Sequence, residues 1–97
     1  MPAYISLVNW TEQGVRNAKD TVNRAKAFEQ GLQSSGARKI GIWWTLGQYD
    51  LVLIFEAPDD ETATRLLVNL GMLGNVRTNT LRAFSEEEAA RIVQGLG

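Results

Sequence analysis

Large apolar residues are concentrated in the stretch Trp43-Trp44-Thr45-Leu46-Gly47-Gln48-Tyr49-Asp50-Leu51-Val52-Leu53-Ile54-Phe55-Glu56. Two period-two runs flank Gly47, which reads as a strand, a tight turn and a second strand. The second arm is apolar on both sides. Tyr49, Leu51, Leu53 and Phe55 share one face, and Val52 and Ile54 share the other, with Asp50 and Glu56 at the ends. A strand of that kind needs cover above and below and belongs inside a sheet. A chain of 97 residues can supply helices for one side, so the other side calls for a second copy of the protein.

The same reading extends along the chain. Residues 3–10 form a first strand with Ile5, Leu7 and Asn9 on one face and Tyr4, Ser6, Val8 and Trp10 on the other, again a central pattern. Thr11 is placed to cap a short helical turn, and Asp20-Thr21 a main helix carrying Val22, Ala25, Phe28 and Leu32 at helical spacing. That helix stops at Ser34-Ser35-Gly36. Residues 37–45 form the second strand, with Ile40, Ile42 and Trp44 on one face and Gly41 and Trp43 on the other. After Pro58, Asp59-Asp60-Glu61 set carboxylates at a helix N-terminus, followed by the stripe Ala63, Leu66, Leu67, Leu70 and Leu73. Residues 75–84 read as a polar, Thr-rich edge strand. Ser85 with Glu88 is a capping box that opens a last helix with Ala89, Ile92, Val93 and Leu96 on its apolar side. The order β-α-β-β-α-β plus a terminal helix is the α+β, ferredoxin-like arrangement, in one domain over residues 1–97. Two helices cover one face of the sheet, and pairing with another copy would bury the other.

Composition narrows the chemistry. Net charge is −1, and no like-charged block exceeds Glu86-Glu87-Glu88, so neither a nucleic-acid surface nor a polybasic membrane anchor is indicated. There is no cysteine and no histidine, which excludes disulfides, thiolate nucleophiles, zinc fingers and every His-based triad. No cofactor or metal is called for. The chain enters a strand pattern directly at Ala3, without a signal-like run, and no stretch approaches a membrane span, so the expected location is the cytoplasm.

The candidate ligand-binding residues are Trp10, Trp44, Tyr49, Asp50, Arg77 and Arg82. Asp50 begins an apolar strand. It serves either as a carboxylate that accepts backbone N–H bonds near the turn, the favoured reading, or as an acid–base group in a cleft. If buried, it needs a partner such as Arg82, Arg77 or Lys39. Trp10, Trp43 and Trp44 serve core and oligomer contacts first and an aromatic pocket second. Trp43 and Trp44 face opposite sides. Arg77 and Arg82 have opposite parity and form an anion-binding strip only if a bulge intervenes. Gly71 to Gly74 ends a helix and is no phosphate loop.

Trp43-Trp44-Thr45-Leu46 followed by Gly47-Gln48-Tyr49-Asp50 resembles the signature of the GYD domain family. The match takes in Tyr4 through Thr11, Ile54 through Asp59, Gly74 through Thr78 and Thr80 through Phe84; the helix of residues 20–36 is its least distinctive part. The resemblance implies a small bacterial or archaeal protein similar to the dimeric α+β barrels, and it brings no biochemical role with it. Two hypotheses follow. The first is a non-catalytic homo-oligomer, at least a dimer, with room for a small molecule in a cavity on the helix-free face. The second, resting on fold analogy alone, is a cofactor-free monooxygenase- or isomerase-like enzyme for an aromatic or quinone-like substrate, with Asp50 or Tyr49 moving the proton.

Overall fold

The first strand, β1 (Ala3–Trp10), and the third, β3 (Leu51–Glu56), lie side by side at the centre of one antiparallel sheet. Strands β2 (Arg38–Trp44) and β4 (Val76–Ala83) form its edges, in the order β2-β3-β1-β4. The computed structural model describes residues 1–97. Between the strands run α1 (Glu12–Arg16), α2 (Thr21–Ser34), α3 (Asp60–Met72) and a terminal α4 (Glu86–Gln94), with a 3-10 turn at Ala18–Asp20. This is the ferredoxin-like α+β arrangement, with the two strands that are apolar on both faces at its centre. No helix is long and apolar enough to cross a membrane.

Alternation decides which side chains meet the helices. Tyr4, Ser6 and Val8 of β1 and Leu51, Leu53 and Phe55 of β3 are buried under α2 and α3. Of these, Tyr4, Leu53 and Phe55 pack with Leu32 of α2 and with Ala63 and Leu66 of α3. The Tyr4 ring stacks on Phe55 with centroids 5.2 Å apart, and Phe28 meets Phe55 edge-on at 6.4 Å. Such pairs add about 0.5–1.5 kcal/mol each beyond the area they bury. The buried Ser6 hydroxyl is satisfied by Thr80 Oγ1 at 2.8 Å.

The helices begin where local chemistry sets them. Thr11 Oγ1 accepts from the Gly14 N–H, Asp59 Oδ1 from the Thr62 N–H, and Ser85 with Glu88 closes the expected capping box. Donation from Thr62 holds the Asp59 carboxyl below its ordinary range, and donation from Ser85 does the same for Glu88. Asp20 departs from expectation. Its carboxylate accepts from the Asn23 side chain and makes no bond to the backbone of α2.

Three further expectations are corrected. β3 begins at Leu51, so Tyr49 and Asp50 lie in the connection of residues 45–50, which closes through Thr45 N–H to Asp50 O at 2.9 Å. The β2–β3 register shifts between Lys39 and Gly41, a bulge at Ile40 that takes it out of the face shared by Ile42 and Trp44. Leu73, at the C-cap of α3, is exposed, because the stripe it continues ends with the helix at Met72.

The opposite face of the sheet has no helix over it. Ile5 and Leu7 of β1 and Val52 and Ile54 of β3 are half-buried there, and register with β1 and β3 adds the exposed Leu81 and Trp43. Gly41 makes room for Trp43: a Cβ at that position would stand 2.4 Å from the indole ring. A folded monomer of this mass exposes about 5,500 Å² by general scaling. This chain exposes 6474 Å², so it carries roughly 900 Å² more than that scaling gives. Its radius of gyration, 14.6 Å, exceeds the ~12.5 Å expected for its length. α4 accounts for part of the excess: no other element packs along it, and Ile92, Val93 and Leu96 are exposed.

Candidate functional site

Asp50 is held by β1, across the sheet from its own hairpin partner. Its Oδ2 accepts from the Trp10 N–H at 2.9 Å, and its own N–H donates to Val8 O at 2.8 Å. The carboxylate therefore continues the β1–β3 pairing one step past the last ladder residue. None of the cations considered from sequence reaches it: Lys39 pairs with Glu29 at 3.1 Å, and Arg82 lies nearest Asp60, at 3.9 Å. Tyr49 is tied through its backbone carbonyl, which accepts from Thr45 Oγ1 at 2.6 Å. Asn9 Nδ2 donates to Gln48 O at 2.7 Å, so β1 fastens the loop at two points.

The other candidates are dispersed. Trp44 faces α2, donating from Nε1 to Thr21 Oγ1 at 3.0 Å. Trp10 stands opposite Val76, its Nε1 shut from solvent with no acceptor in the chain. β4 runs without a bulge, so Arg77 opposite Asn9 and Arg82 opposite Tyr4 fall on opposite faces and the anion-binding strip does not form.

Arg82 instead joins a cluster that sequence reasoning missed. Its guanidinium lies 4.4 Å from the Phe84 ring centroid and 5.8 Å from that of Tyr4. The Tyr4 hydroxyl donates to Asp60 Oδ1. Burial, and next the bond to the Asp60 carboxylate, push the Tyr4 phenol up to about 12. The group stays a protonated donor that anchors the start of α3 to β1. The only signal for this cluster was the 4-to-82 register, which one strand's parity does not supply.

Two clefts open on the helix-covered side, whereas the cavity expected from sequence was on the helix-free face. The larger, of ≈ 790 Å³, lies between α2 and α3 above Val8, Leu51 and Leu53, with Asp20, Thr21, Arg24, Asn69 and Asn75 as its polar contacts. The smaller, of ≈ 230 Å³, lies between α2 and the β2 edge and includes Trp44, the one candidate residue in either. No group of three His, Cys, Asp or Glu side chains forms that could hold a metal ion. The larger cleft suits a small, mostly apolar molecule. The helix-free face is an open apolar surface.

The family model described as GYD domain matches residues 4–93. A protein of Thermus thermophilus named glutamine synthetase and cystathionine beta-lyase binding protein is 34% identical over 84 residues, which is 86% of this chain and 88% of the relative. The crystal structure of TTHA0845 from Thermus thermophilus is similar in fold, with a TM-score of 0.56 at 23% identity over 88% of this chain and 95% of that one.

Proposed function

The chain belongs to the GYD domain family, and from that premise we propose that it is a non-catalytic, homo-oligomeric module that binds other proteins. The observation that carries the homo-oligomeric part of this reading is the uncovered apolar face of the sheet. Ile5, Leu7, Val52 and Ile54 sit on it beside Leu81 and Trp43. The excess of roughly 900 Å² over the whole chain, part of it on α4, is comparable with one partner's share of a standard interface, ≈ 800 Å². A second copy closes this face in the free protein, and the closed oligomer is the species that meets other partners.

The relative named for binding glutamine synthetase and cystathionine beta-lyase supports enzymes as those partners. The direct test immobilises this protein and passes each purified enzyme over it. Saturable binding of either enzyme at micromolar concentration is expected. Flat responses from both, with the immobilised protein folded, would remove enzymes from the partner class.

A second reading is favoured by the ≈ 790 Å³ cleft: a small apolar ligand held between α2 and α3. It predicts that Leu70→Trp, which fills the cleft, abolishes uptake of a hydrophobic fluorescent probe without unfolding the chain. Unchanged probe uptake would count against it.

A further inference from the structure

Nine residues are too few for a free helix to be stable in water, since isolated helices shorter than ~12–15 residues are marginal. α4 nevertheless has a complete capping box and three carboxylates in its first turn. Ala89, Ile92 and Val93 fall within about a third of its circumference, while Leu96, expected on the same stripe, follows the C-cap Gly95 and lies outside the helix. Ile92, Val93 and Leu96 are 52%, 56% and 73% exposed. A sequence so prepared for helix, with an apolar stripe that no element of its own chain covers, is built for a surface elsewhere.

We infer that α4 of one copy docks on the α2–β2 flank of a second copy, its apolar stripe entering the cleft between Val22, Ala25 and Phe28 on one side and Ile42 and Trp44 on the other. This rests on the self-association proposed above; the cleft opens on the helix-covered side, so the docking is a contact separate from the one that closes the helix-free face, and it adds where the terminal helix goes. Val22 and Trp44 are 49% and 40% exposed at that cleft, large apolar groups at its rim.

Its own chain cannot supply the helix. α4 leaves the sheet at β4, and β2 is the opposite edge, three strand spacings or ~14 Å away with α2 and α3 layered over the path. Charge also selects this cleft. Glu86 flanks the apolar stripe of α4 at helical spacing, and the α2–β2 rim carries Lys26 in addition to the mutually paired Lys39 and Glu29, a net positive charge. At the α2–α3 cleft the charged groups are Asp20 and Arg24, which offset each other, and Arg24 already donates to Asn17 O and Gly14 O.

The absence of cysteine makes cross-linking clean. Two single-cysteine variants, Ala89→Cys and Val22→Cys, carried on differently tagged chains, are mixed and oxidised mildly. The docking predicts a disulfide between the two different chains. It also predicts at least a tenfold lower yield when Glu87→Cys, on the far side of α4, replaces Ala89→Cys. Equal yields from both pairs would overturn it. So would an intrachain disulfide as the sole product of one chain carrying both Ala89→Cys and Val22→Cys. No mixed product from a protein that sediments as an oligomer would overturn the docking while leaving self-association standing. A protein that sediments as a folded monomer would overturn both.

Discussion

At the scale of single residues, the ionisable groups that look reactive in sequence have structural work. Asp50 Oδ2 accepts the Trp10 N–H at 2.9 Å, a bond to a charged acceptor and stronger than its neutral counterpart. Asp50→Asn keeps the shape and weakens the bond, so the expected loss is ~1–2 kcal/mol, near the centre of ordinary point-mutation effects. A chemical-denaturation midpoint above that of the parent would mean that Asp50 is an unfavourable charge kept for another purpose. Tyr4 gives a pH signature. Its folded pKa is raised from the ordinary phenol value of 10.0 to about 12, so the folded state keeps the proton longer than the unfolded chain. The stabilisation is fully present below pH 10 and is lost as pH rises towards about 12. Tyr4→Phe should flatten that part of the stability profile, and an unchanged alkaline limb would refute the assignment. The use of Asp50 was legible in its closeness to the Gly47 turn. Its partner on β1 was not, because that takes the register between strands far apart in sequence.

At the scale of elements, periodicity located every strand and helix and failed where the backbone leaves the period. The α3 stripe held through Leu70 and stopped at the C-cap, so Leu73 points into solvent. Alternation continued through Tyr49 and Asp50 in the sequence, but the Thr45–Asp50 bond closes the loop before the ladder resumes at Leu51. Period two cannot register the extra residue of a bulge, which is how Ile40 was assigned to a face it does not share. The parity of Arg77 and Arg82, by contrast, was legible and holds because β4 has no bulge. Within α3, Leu66 is 8% exposed and in the core, while Leu70 is half-buried at the edge of the α2–α3 cleft. Leu66→Ala should cost ~2–5 kcal/mol, with Leu70→Ala at or below the lower end of that range. Thermal melts in which Leu70→Ala is the more damaging of the two would show that the cleft is closed in solution.

At the scale of the whole molecule, one side of the sheet makes a complete core and the other ends at an apolar surface. The two-sided character of β1 and β3 made that surface legible in the sequence. The site was less legible, because Trp10, Trp44, Tyr49, Asp50, Arg77 and Arg82 share residue types suited to binding but are dispersed by the sheet's two faces and its connecting loop. An area excess of roughly 900 Å², a radius of gyration above the expected value and an unpacked α4 are each what the proposed self-association would account for. Sedimentation equilibrium of the protein at micromolar concentration tests this most directly. The expected result is a mass at least twice the 10.8 kDa of one chain, falling towards one chain in Ile54→Lys with the fold retained. A folded parent protein that sediments at 10.8 kDa across that concentration range would contradict it.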